Sequence, residues 1–103
     1  MKNLQLKVKK FCLENHLDAP IEIKMLDLIS EFGEVSKEVI KMSDYGKHEH
    51  TYREEFASEL GDLFYSLITV ANTFDVDLEV ALEKAMQKYE KRLKKGGAGS
   101  ENE

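Results

Sequence analysis

IEIKMLDLISEFGEVSKEVIKM, residues 21–42, decides the fold. Its apolar residues Ile21, Met25, Leu28, Phe32, Val35, Val39 and Met42 recur at alternating spacings of four and three. That rhythm keeps one side of an α-helix apolar for its whole length and is the pattern of helices packed in bundles. Phe56, Leu60, Leu63, Leu67, Val70 and Phe74 repeat it in a second long helix. Leu4, Val8 and Phe11 mark a first helix, fading around HLDAP, where Asp18 and Pro20 suit a helix start. Leu78, Leu82, Ala85, Tyr89 and Leu93 mark a fourth, with Asp77 as its N-cap. SDYGKHEH connects helices two and three, and TYRE, residues 51–54, has the capping-box pattern for the third. The expected architecture is all-α, a four-helix bundle with two long antiparallel central helices. Its domain spans residues 1–95, and the glycine-rich, polar stretch 96–103 reads as a disordered tail.

The chain has 103 residues, one proline and no tryptophan, with 34% charged residues and a formal net charge of −5. A single domain of this length has room for only a modest core, so association of copies would help to stabilise it. The acidic balance argues against nucleic-acid or anionic-membrane binding. Cys12 is the only cysteine and has apolar neighbours, which suits a core thiol in a reducing compartment. There is neither a signal-peptide stretch nor a membrane span, and the expected location is cytoplasmic.

The acids are less ordinary than the seams. Asp27, Glu31, Glu34 and Glu38 each stand one position before a seam residue of helix two, and Glu55, Glu59 and Asp62 do the same on helix three. Both helices thus carry an acidic stripe rotated by about 100° from the apolar one. Most such stripes are simply solvated faces laced with ion pairs. Here Glu31, Glu34, Glu59 and Asp62 have no Lys or Arg four residues away on either side. Like charges at helical spacing repel, so the rows call for a cation. Gly33 and Gly61 lie in the same segments, in SEFGE and SELGD, where each costs about 1 kcal/mol relative to Ala. Close backbone approach is the expected return. Pairs of acids at i and i+3 on facing helices make an all-oxygen site suited to Mg²⁺, with Mn²⁺ as a substitute. Mg²⁺ commonly bridges to phosphates, which points to phosphate chemistry.

Glu31-x-x-Glu34, a 24-residue spacer and Glu59-x-x-Asp62, set in LISEFGEVSKEV, SELGDLFYSLITVAN and DVDLEVALEKAMQKYEKR, resemble the MazG-like all-α nucleoside triphosphate pyrophosphohydrolases. The resemblance implies hydrolysis between the α- and β-phosphates, with Mg²⁺ required, in a homodimer or homotetramer. It makes Glu31, Glu34, Glu59 and Asp62 the metal ligands and catalytic carboxylates. It also implies a house-cleaning role on non-standard or deoxynucleoside triphosphates. Narrower relatives acting on dUTP, dCTP or phosphoribosyl-ATP share the motif, and a non-catalytic, metal-stabilised binding module is the remaining alternative. Family members often end in a Lys-Asn-x-x-Arg-like segment; KYEKR keeps Lys88 and Arg92 but has Tyr89 where Asn is common. Lys84, Lys88 and Arg92 are candidate phosphate contacts, although bases near a helix C-terminus also favour the helix dipole. Asn72 is a candidate sugar or phosphate contact, or else a structural hydrogen-bonding group.

Overall fold

The computed structural model describes residues 2–96, and the expected tail lies outside them except for Gly96. Four helices follow one another: α1 Lys2–Glu14, α2 Ile21–Met42, α3 Glu55–Thr73 and α4 Leu78–Lys94. No strand occurs among the described residues, and none of these helices is long and apolar enough to cross a membrane. Local chemistry explains the ends. Pro20, at φ −59°, precedes α2, and its fixed φ and missing N–H suit the edge of a helix. The Asp77 carboxylate accepts from the N–H groups of Glu79 and Val80 at the start of α4, satisfying two donors that a helix start leaves open. After α4, Gly96 takes φ +82° and its N–H bonds the Leu93 carbonyl at 3.0 Å. A left-handed residue is a common helix stop, and glycine adopts it without a Cβ clash.

One helix start differs from expectation. TYRE does not cap α3: the helix begins at Glu55, and Glu54 makes no capping bond through its side chain. The Thr51 N–H instead bonds the Met42 carbonyl at 2.9 Å, and the His48 N–H bonds the Ser43 carbonyl at 3.1 Å. The connection is therefore folded back onto the end of α2, with Thr51 held in that turn rather than at a helix start.

α2 packs chiefly on α3, and α1 packs on α3. Near the start of α2, Lys24 Nζ donates to Thr73 Oγ1 at the end of α3, at 2.8 Å. Towards the end of α2, Glu38 accepts from Arg53, just ahead of α3. Gln5 fastens α1 to the turn between α3 and α4. Its Nε2 donates to Asn72 Oδ1 and the Val76 carbonyl, and its Oε1 accepts from the Leu78 N–H. Further along α1, Cys12 Sγ lies 3.2 Å from the Tyr65 hydroxyl, and the Phe11 ring meets Tyr65 edge-on. Cys12 is thus half-buried and hydrogen-bonded rather than immersed in a core.

The apolar seam is divided. The less exposed line of α2 is Ile21, Lys24, Leu28, Glu31, Val35, Glu38 and Met42. Alternate seam residues therefore turn inward, and the polar residues between them share the inward face. Met25, Phe32 and Val39 are exposed, Phe32 by 64%. Leu26, Ile29 and Ile40 are exposed as well, so α2 is apolar on more sides than one neighbour covers. Only Met42, Ile68 and Ala71 are buried apolar residues among those described. Gly33 and Gly61 also differ from expectation. A Cβ at either would meet nothing within 4 Å, so within one chain no neighbouring backbone approaches them closely.

Candidate metal centre

The face of α2 that turns to α3 carries acids, and this builds the site. Glu59 and Asp62, three residues apart, project from the same side of α3, and Glu31 meets them from α2. One carboxylate oxygen from each of the three lies within 4.8 Å of the others. Glu31 and Glu59 are half-buried and Asp62 is exposed. Partial burial pushes the Glu59 carboxyl above its ordinary range, and the negative charges of Asp62, Glu34, Glu31 and Glu38 push it further the same way. A cation would relieve both effects. The donors are all carboxylate oxygens, which suits a hard divalent ion. Glu34 is exposed and lies outside the converging trio, although its charge reaches Glu59.

Not every acid of the two stripes contributes. Glu38 is buried and receives the Arg53 Nε–H, and an Arg53 terminal nitrogen lies 3.7 Å from Glu55. The hydrogen bond to Glu38, with the charge of that carboxylate, raises the Arg53 pKa. Arg53 thus answers two of the seven acids from within the chain. It stands fifteen residues from Glu38, beyond the reach of any helical spacing rule, and this is why the sequence pattern did not reveal it.

A cleft of about 680 Å³ opens beside the acids, between α1, the α1–α2 connection and the α2–α3 pair. Asp27 lines it one turn before Glu31, and Tyr65 and Ser66 line it one turn beyond Asp62. Val8, Lys9, Cys12 and Leu13 form the α1 wall, and Lys24 lies farther along. Its size is that of a small-molecule site. Asn72 also lines it, but its amide is engaged by Gln5: Oδ1 accepts from Gln5 Nε2 and Nδ2 donates to the Gln5 carbonyl at 3.0 Å.

The basic candidates all stand on α4, where Lys84 and Lys88 are exposed and Arg92 is buried, at 8% exposure. α4 makes at most slight contact with the other helices, and no ion pair joins Lys84 or Lys88 to the acidic trio among the described residues. Lys88 Nζ and the Arg92 guanidinium carbon each lie 5.5 Å from the centroid of the Tyr89 ring. Tyr89, where the resemblance expects Asn, thus lies beside both cations and attracts each through its ring face.

The family profile described as MazG nucleotide pyrophosphohydrolase domain matches residues 21–96, which include both acidic pairs and all of α4. A protein of Bacillus subtilis (strain 168) described as uncharacterized protein YpjD is 30% identical over 99 residues, covering 91% of this chain and 86% of that protein. No solved structure gives a significant match.

Proposed function

The chain belongs to the MazG nucleotide pyrophosphohydrolase domain family, and from that premise we propose a Mg²⁺-dependent enzyme that hydrolyses nucleoside triphosphates between the α- and β-phosphates. The observation that carries this reading is the convergence of Glu31, Glu59 and Asp62 across the α2–α3 pair beside a ligand-sized cleft. Glu31, Glu59 and Asp62 hold the ion, and Glu34 completes the set as a further ligand or as the group that orients water. Bound Mg²⁺ supplies shielding of the phosphate charge and a more acidic water. Water adds to the α-phosphorus, the bond to the bridging oxygen breaks, and nucleoside monophosphate and pyrophosphate leave. Without the cation the acidic trio would repel a triphosphate. Pyrophosphate release from a panel of deoxynucleoside triphosphates tests the reading. Release is expected with Mg²⁺, should vanish with chelator, and should return with Mg²⁺ or Mn²⁺. If no triphosphate yields pyrophosphate, the reading falls; preference for phosphoribosyl-ATP over every free triphosphate would place the chain with the narrower enzymes.

The working assembly in this proposal is a dimer or tetramer built on the antiparallel α2–α3 pair. What supports it is the exposed apolar surface: Leu26, Ile29 and Phe32 on α2, each more than 60% exposed, and a depression formed by Leu60, Gly61, Leu63, Phe64 and Leu67 on α3. Patches of this kind mark association surfaces. Light scattering should give at least twice the chain mass, and Phe32→Asp should lower it towards that of one chain. A stable, fully active wild-type monomer would remove this part. Lys84, Lys88 and Arg92 remain the proposed phosphate-binding bases, carried by a helix with little attachment to its own protomer.

A further inference from the structure

The cleft beside the acidic trio has a polar feature that hydrolysis itself does not call for. Lys24 lines it and its side chain is only 16% exposed. Its ammonium donates to Thr73 Oγ1 at 2.8 Å and lies 3.2 Å from Asp18 Oδ1. An ammonium has three N–H groups; one is given to Thr73 and another can turn towards Asp18, which leaves at least one for a ligand. Lys24 stands two turns from Glu31 on the same face of α2, about 10 Å along the helix. Asp27 and the cleft lie between them. With the phosphates at the acids, that separation brings the far edge of the base to Lys24.

We propose that Lys24 is a specificity-determining residue that reads a carbonyl oxygen on the base, selecting bases whose edge presents C=O beside N–H. This rests on the nucleotide reading above. The chemistry sets the choice. Lys24 can only donate, and it occupies the sheltered position, so an amino group there would meet another donor. Asp18 can only accept when ionised, and it stands beside Lys24 at the rim, its side chain 85% exposed, where it can take the adjacent ring N–H. Uracil, thymine, guanine and hypoxanthine carry that pair of groups side by side. Adenine and cytosine place an amino group at the corresponding edge.

Steady-state kinetics on dUTP, dTTP, dITP and dGTP against dCTP and dATP test the proposal. Wild type should favour the carbonyl-edged group in kcat/KM by at least about tenfold, the loss that follows from one hydrogen bond to a charged group. Lys24→Met should raise KM for that group by a similar factor with kcat little changed, and should narrow the preference. Lys24→Arg keeps a donor and should keep the preference. Thr73→Val removes one anchor of Lys24 without removing the donor and should also keep it, which separates recognition from the α2–α3 link. Preference of wild type for dCTP or dATP overturns the proposal and leaves the hydrolase reading intact. So does an equal KM increase for all six nucleotides in Lys24→Met. Absence of turnover on every triphosphate sinks both.

Discussion

Glu59→Gln lowers pyrophosphate release by at least about 100-fold and, in chelator, raises the melting temperature of the same protein. The two effects have opposite signs because one charge has two roles. Replacing groups that merely support metal ligands already costs about 10–100-fold, so loss of a ligand oxygen's charge should cost more. In the metal-free chain the same charge is a liability. Partial burial, and then Asp62, Glu34, Glu31 and Glu38, make the Glu59 carboxyl harder to ionise than in an unfolded chain. Since its folded pKa lies above the unfolded one, the folded state holds the proton more tightly. The destabilisation is therefore full above the folded pKa and disappears as pH falls through the folded and then the unfolded value. Gln is isosteric and neutral, so it removes the penalty at every pH. Metal-free wild type and Glu59→Gln should accordingly differ in melting temperature near neutrality and converge in acid. Mg²⁺ should stabilise wild type more than the variant. A variant that keeps its turnover would remove Glu59 from the site, and one that melts lower in chelator would mean that its charge is answered from within the fold.

What the sequence made legible followed from local chemistry. The α2 run was readable because a four–three rhythm sustained over six turns keeps residues on one side only if the chain is helical. Asp77 was readable because an acid ahead of an apolar-periodic run fits a helix start. Glu31, Glu34, Glu59 and Asp62 could be singled out because no Lys or Arg stands four residues from any of them, and the fold brings three of the four together. What stayed hidden depended on contacts between distant segments. Glu38 looked like Glu31 until Arg53 folded back from the connection to meet it. The seam reads as a single interface, yet α3 covers alternate members and leaves Phe32 outside. Periodicity gives the angle between residues on a helix but not which side faces a neighbour, and α2 is apolar on several. Lys24 illustrates the same limit: its place in the cleft depends on Asp18 and Thr73, and Thr73 is 49 residues away.

Gln5→Leu should be the most destabilising single substitution in α1, costing about 2–4 kcal/mol through the acceptors and donor it leaves unpaired. In sequence, Gln5 looks incidental, a polar residue between Leu4 and Leu6. In the fold it is buried, at 8% exposure, while both leucines are about half exposed. Its amide closes a circuit: Asn72 Oδ1 at 3.1 Å, the Val76 carbonyl at 2.7 Å and the Leu78 N–H at 2.9 Å. The last of these is the first residue of α4, so Gln5 and Asp77 together satisfy three N–H groups of that helix start. Leucine has similar bulk and no polar atom, so the cost would come from unpaired partners rather than from a cavity. For a chain of this length each kcal/mol is about 4–8 °C in Tm, and a fall of roughly 10 °C or more is expected. Amide exchange should quicken first at Leu78 and through the first turn of α4, while the middle of α2 stays protected. Asn72→Ala should share much of this loss and, in a double-mutant cycle, couple to Gln5→Leu rather than add to it. If Asn72→Ala instead left the melting temperature unchanged and raised KM, the amide would be serving the nucleotide, and the circuit through Gln5 would not be what holds α4 to α1.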